Sequence, residues 1–127
     1  PQRKYIMSNC AEKQAKEALD VLGVSQYFDG VFGADFMFPH CKPETEAFAR
    51  VCEKIGCAPA EVCFFEDSYK NLVTCNQLGM TTVFVRGVTA DEEGVTKEME
   101  AILNAIVPTL SDVEGKNLKR QLPQLFV

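Results

Sequence analysis

Four short runs of apolar and β-branched residues punctuate the first two thirds of this chain, and helical patterns fill the gaps between them. The runs are "KYIM" at 4–7, "FDGVFGAD" at 28–35, "EVCFFED" at 61–67 and "TTVFV" at 81–85. They have the length of strands and fall far short of a membrane span. After the first, Ala15, Ala18, Leu19 and Leu22 recur on one helical face, and Gly23 ends the pattern. After the second, Phe48, Val51, Cys52 and Ile55 give an i, i+3, i+4, i+7 stripe closed by Gly56. Residues 68–78 read as a third helix closed by Gly79, and residues 96–105 as a fourth, followed by the short apolar run "AIV". Asn9 and Glu12 have capping-box spacing at the start of the first helix, and Pro43 suits the first turn of the second.

Strand alternating with helix implies right-handed βαβ crossovers. The expected fold is therefore α/β, a Rossmann-like three-layer sandwich with a mostly parallel sheet. "EVCFFED" is continuously apolar, as a strand covered on both faces should be. Residues 1–127 read as a single domain, with 108–127 as a tail whose "LPQLF" docks apolar side chains on the body. In such sheets ligands bind at the carboxyl ends of the strands. Three places share that expected edge: Ser8-Asn9, the loop into Lys42-Pro43, and Glu66-Asp67.

Charge and cysteine usage narrow the function classes. A formal net charge of −5 with no basic stripe argues against nucleic acid, and no run is long enough for a membrane partner. The apolar segment of "PQRKYIMSN" is too short for a signal peptide. Six cysteines without a Cys-x-x-Cys pair, and one histidine, point to reduced thiols in a cytoplasmic protein; a disulfide framework or a zinc site is not expected. The "DEE" at 91–93 reads as a solvated loop or the acidic first turn of a helix.

At the three edge positions two readings stand side by side. Ser8 suits a phosphate contact beside free helix N–H groups, or a simple helix cap. Lys42 opposes the dipole of the helix that follows, so it either neutralises an anion or is an exposed loop lysine. In "CFFEDSYKN", Glu66 and Asp67 suit a hard cation such as Mg²⁺, with Ser68 and Asn71 holding the carboxylate. Alternatively Asp67 caps its helix and Glu66 is exposed. A cysteine nucleophile built from His40 and Cys41 lacks an orienting partner, and adjacent strand residues face opposite ways.

"YIMSN", "HCKPETEAF" and "VCFFEDSYKN" resemble the second, third and fourth motifs of the haloacid dehalogenase-like superfamily, on its phosphohydrolase side. "LGVSQYFDGVFGADF" and "LGMTTVFV" resemble its connecting elements, so the likeness runs over 4–85. "FFEDSYKN" and the "LPQLF" tail look most like the pyrimidine 5′-nucleotidase type. The resemblance implies Mg²⁺ as cofactor, with Asp67 as ligand and Glu66 beside it. It implies that Ser8 and Asn9 bind the phosphoryl group, Lys42 neutralises charge, and Ser68 and Asn71 support the acids. The implied substrate is a small phosphorylated metabolite such as a nucleoside 5′-monophosphate, cleaved through an aspartyl-phosphate.

One departure is plain. The family's nucleophile is the first aspartate of an Asp-x-Asp motif, and no Asp-x-Asp occurs in these 127 residues. Asp20, Asp29 and Asp35 offer no evident substitute. In the family the strand bearing that motif is central, so its loss leaves the sheet incomplete with open edges, and the cap that selects substrate is missing too. The expectation is the C-terminal part of a longer hydrolase, inactive alone and prone to self-association or to pairing with an N-terminal segment. The alternative is a non-catalytic protein that keeps a phosphate or Mg²⁺ pocket.

Overall fold

The computed structural model describes residues 2–87, 96–110 and 116–126. The chain divides into two compact units, Pro1–Gly56 and Cys57–Val127. The "DEE" at 91–93 lies outside the described residues.

In the first unit, β1 (Tyr5–Met7) and β2 (Gly30–Phe32) pair in parallel, with Ile6 opposite Val31. Helix α1 (Glu12–Leu22) makes the crossover between them, a short helix α2 (Ala34–Met37) follows β2, and α3 (Thr45–Ile55) closes the unit. Gly23 and Gly56 end α1 and α3 in the left-handed conformation expected of helix-stopping glycines. The core is Phe32, Met37, Ala47 and Val51, with Tyr5, Met7, Phe36 and Ile55 packed against it. The stripe read on α3 is the buried one, since Phe48, Val51 and Cys52 all face inward.

The stripe read on α1 is not. Only Ala15 is buried, Ala18 is exposed, and Leu22 is 71% exposed. The reason is one of dimensions. Two strands of three residues are each about 10 Å long, whereas an eleven-residue helix runs about 16 Å, so its last turn outreaches the sheet. Nor does Asn9 cap this helix: the N-cap is Ala11, with no side-chain hydrogen bond. The Glu12 N–H is met instead by Asp35 Oδ1 at 2.9 Å, a carboxylate supplied from α2. This brings the helix start onto Gly33, where a Cβ would lie 2.2 Å from the Glu12 nitrogen.

In the second unit β3 (Cys63–Glu66), β4 (Thr81–Val85) and β5 (Ala105–Val107) form a parallel sheet in that order. Helix α4 (Tyr69–Gln77) connects the first pair, and α5 (Lys97–Glu100) precedes β5. The helix expected over 96–105 is therefore a single turn, capped by the Thr96 hydroxyl at 3.2 Å. "AIV" goes to the sheet because β4 offers it a parallel edge, and Asn104 fastens the junction. Its Oδ1 accepts from the Thr82 N–H at 2.8 Å and from the Thr82 hydroxyl at 3.1 Å.

Val83, Ala105 and Val107 form this unit's core together with Leu118, from α6 (Lys116–Gln121), and Leu122. Leu125, in the one-turn Pro123–Phe126 segment, packs against it. Gln121 brackets the outer strand: it accepts from the Ile106 N–H at 2.9 Å and donates to the Ile106 carbonyl at 3.0 Å. A bare strand edge is thus closed by one side chain. Cys63 lies among these apolar side chains, and burial pushes its thiol up to about 11.

The structure is α/β with parallel pairing, and its sheet is incomplete, β1-β2 in one piece and β3-β4-β5 in another. The strands carrying Ser8-Asn9 and Glu66-Asp67 thus belong to separate sheets. No helix among the described residues is long and apolar enough to cross a membrane. Because the contact at Gly33 is with backbone, it cannot relax by a rotamer change. Gly33→Ala should destabilise the fold by about 1–3 kcal/mol, read from urea unfolding, with the far-ultraviolet helix signal reduced.

Candidate functional site

Ser8 follows β1 directly, and its N–H continues the ladder to the Phe32 carbonyl at 2.9 Å. Its hydroxyl accepts from the Cys10 N–H at 3.2 Å and donates to Cys10 Sγ at 3.0 Å. Ser8 thus shapes a turn ahead of α1 rather than capping it. The next residue carries the tie that organises this unit's loops. Asn9 Oδ1 accepts the Lys42 N–H at 2.9 Å, and Asn9 Nδ2 donates to the Lys42 carbonyl at 3.0 Å. One amide side chain, through both its groups, holds the main chain of a residue thirty-three positions away. Only main-chain groups of Lys42 are used, so the clasp sets where the lysine starts without engaging its ammonium.

Lys42 is half-buried at the tip of a turn, residues 41–44, closed by the Glu44 N–H to the Cys41 carbonyl at 2.8 Å. Helix α3 begins only at Thr45, with Glu44 as N-cap, so Pro43 lies in this turn and not in the helix. Glu44 braces the loop by accepting the Cys41 N–H at 3.2 Å and pairing with His40 Nδ1 at 2.9 Å. His40 first, and then the Cys41 N–H, hold the Glu44 carboxyl below its ordinary 4.5. The benefit of this pairing is full above that ordinary value and is lost as pH falls through the lowered one.

In the second unit the two adjacent acids divide. Glu66, the last residue of β3, is 8% exposed. Its Oε1 accepts the N–H groups of Asp67 at 3.0 Å and Ser68 at 3.2 Å, and its Oε2 accepts Asn71 Nδ2 at 3.0 Å. Three N–H dipoles from its own turn offset the desolvation of a buried carboxylate. Asp67 is exposed, and the N-cap of α4 is Ser68. The reading in which Asp67 caps this helix and Glu66 is exposed is therefore reversed on both counts.

Asn71 is 5% exposed, and its Oδ1 has no hydrogen-bond partner among the described residues. A buried amide oxygen left in this way is uncommon and favours a donor. The turn thus combines an exposed carboxylate with an orphan oxygen acceptor. These are hard oxygen donors, and Mg²⁺ characteristically binds through one or two carboxylates while keeping several waters. The exposed Asp67 carboxylate is thus the kind of donor a hydrated Mg²⁺ takes, whereas the Asn71 oxygen is sealed from solvent.

The other aspartates of the first unit have structural partners. Asp20 accepts from the Ser25 hydroxyl, Asp29 Oδ2 from the Lys4 N–H at 2.7 Å, and Asp35 from the first turn of α1. All six cysteines are free thiols. His40 pairs with Glu44, and the recorded partner of Cys41 Sγ is Glu44 Oε1 at 3.6 Å. No His–Cys pair links residues 40 and 41.

The sequence pointed to Ser8, Asn9 and Lys42, and the structure brings these together in one loop cluster of the first unit. It groups Glu66, Asp67, Ser68 and Asn71 in one turn of the second. The clasp role of Asn9 escaped the sequence reading because its spacing to Glu12 imitated a capping box. Glu44 escaped it as well, although the His40/Glu44 i, i+4 spacing was a usable signal.

The family described as haloacid dehalogenase-like hydrolase matches residues 4–85. The chain is 33% identical over 101 residues to a protein described as probable phosphatase IndB of Dickeya dadantii (strain 3937), covering 80% of this chain and 42% of that protein. It is 33% identical over 85 residues to the fructose-1-phosphate phosphatase YqaB of Escherichia coli (strain K12), covering 66% of this chain and 45% of that one. Among solved structures, L-2-haloacid dehalogenase from Xanthobacter autotrophicus superposes with a TM-score of 0.72 at 22% identity, over 91% of this chain and 56% of that one. That last likeness is one of fold. The chain spans less than half the length of the curated relatives it matches.

Two outcomes follow from these loops. Asn9→Ala removes both bonds of the clasp and should speed hydrogen exchange at the Lys42 amide at least tenfold, with about 1–2 kcal/mol of stability lost. Glu66→Ala strands three N–H donors and should lower stability by about 2–4 kcal/mol in urea unfolding.

Proposed function

The chain belongs to the haloacid dehalogenase-like hydrolase family, and from that premise we propose that it is the phosphate- and metal-binding portion of a phosphohydrolase. The observation that carries the reading is the Asn9 clasp, which fastens the Ser8 turn to the Lys42 turn. Two turns fastened to each other, one carrying a hydroxyl and the other a lysine, suit a phosphoryl group better than two unrelated loops would. Ser8 and Asn9 contact the phosphoryl oxygens, and Lys42 balances their charge as it grows in the transition state. Asp67 is the metal ligand, and Glu66 is its positioning residue because its oxygens are taken by N–H groups of its own turn. Ser68 and Asn71 complete that turn. When bound, Mg²⁺ supplies charge neutralisation and Lewis acidity at the phosphate.

The substrate is a small phosphorylated metabolite. Two relatives with phosphatase descriptions support that class. A nucleoside 5′-monophosphate is the finer reading, supported by the likeness of "FFEDSYKN" and "LPQLF" to the pyrimidine 5′-nucleotidase type. A cytoplasmic setting accords with six free thiols. The attacking aspartate is not among these 127 residues, since they contain no Asp-x-Asp. The same fact favours a second reading, a non-catalytic protein that binds phosphate or Mg²⁺.

The experiment begins with the transcript upstream of Pro1. An in-frame Asp-x-Asp after an apolar strand supports the hydrolase, whereas a stop codon followed by a true start supports the binding protein. The longer chain, if encoded, should release phosphate from nucleoside 5′-monophosphates or sugar phosphates in a Mg²⁺-dependent way. Lys42→Ala should lower its kcat at least a hundredfold, and Asp67→Asn should raise the Mg²⁺ needed for half-maximal rate. The 127-residue chain should release none, and steady Mg²⁺-dependent turnover by it would sink the claim that the nucleophile lies elsewhere.

A further inference from the structure

The loop that carries Lys42 holds a second set of donor atoms that phosphate chemistry does not use. His40, Glu44 and Glu46 each offer one ligand atom, and the three atoms lie within 4.8 Å of one another. His40 Nδ1 is 2.9 Å from Glu44 Oε2, and Cys41 Sγ is 3.6 Å from Glu44 Oε1. We propose that His40, Glu44 and Glu46 form a three-donor site for Zn²⁺ beside the Lys42 turn. Counting one histidine and no Cys-x-x-Cys pair, the sequence argued against zinc; folding supplies what the count missed, two carboxylates at the start of α3.

The donor chemistry selects the ion. An imidazole nitrogen with two carboxylates is a mixed N/O set, which suits Zn²⁺, and its nitrogen is a poor donor for Mg²⁺ or Ca²⁺. The spacing suits it as well. Bonds of about 2.0–2.2 Å to a tetrahedral ion put donor atoms about 3.4 Å apart, within reach by side-chain rotation from a 4.8 Å cluster. Access is open: the His40 side chain is 32% exposed and that of Glu44 is 46% exposed. Two carboxylates brought this close repel, and one dication answers both. A helix N-terminus alone accounts for the acids, but not for an imidazole nitrogen 2.9 Å from one of them. The site is separate from the proposed Mg²⁺ turn and does not depend on the hydrolase reading. An ion there would tie residues 40–46 into one ring and hold the Lys42 turn from the side opposite to Asn9 in sequence.

The single histidine makes the test direct. The 127-residue chain, purified without a polyhistidine tag, is titrated with Zn²⁺ against a chromophoric chelator while the His40 ring protons are followed by NMR. The expected result is one Zn²⁺ per chain with the His40 ring signals displaced. Affinity should fall at least tenfold in His40→Gln and in Glu46→Gln, and remain within twofold in Cys10→Ser. Circular dichroism confirms that each variant is folded. The proposal is overturned if the His40 ring signals do not respond to Zn²⁺, or if His40→Gln and Glu46→Gln bind it as tightly as the parent chain.

Discussion

Parallel pairing obliges strands to leave their sheet at the same end, and the arrangement of this chain's chemistry follows from that obligation. In the first unit β1 and β2 run together, so the Ser8 turn and the connection toward Lys42 emerge on one side. In the second, β3, β4 and β5 do the same, and the acidic turn sits where β3 ends. A hairpin would have sent alternate loops to opposite ends and scattered these residues. Each crossover needs a helix, and the two long helices of the first unit are each bounded by a local device: Asp35 over the start of α1, Glu44 before α3, a glycine after each.

Much of this was legible in the sequence because periodicity and glycine punctuation are local signals. "TTVFV" became β4 at its own boundaries, and the stripe on α3 is the buried one. What stayed illegible was decided by partners distant in the chain. Asn9 reads as a cap from its neighbours, yet its partner is Lys42. "AIV" reads only as a short apolar run after a helix, yet β4 and Asn104 recruit it to a sheet. The Ala18 to Leu22 portion of α1 reads as buried because periodicity reports a face; it does not report whether the sheet beneath is long enough to cover it.

The candidate site divides in the same way. The residue types were visible: a hydroxyl, a lysine and paired acids at strand exits. Their division of labour was not. Glu66 and Asp67 are adjacent and chemically alike, and only the hydrogen bonds show that one is structural. The missing Asp-x-Asp was legible from the outset, since an absence in these 127 residues needs no coordinates.

The separation between Glu66 and its neighbour has a consequence for how such a chain can change over time. At one position a substitution disturbs three donors at once. The adjacent carboxylate is exposed and lies outside that set of three bonds. Selection can therefore vary charge or ligand preference at Asp67 while the three donors to Glu66 keep their acceptor. Two identical-looking acids amount to one fixed hinge of architecture and one replaceable tool.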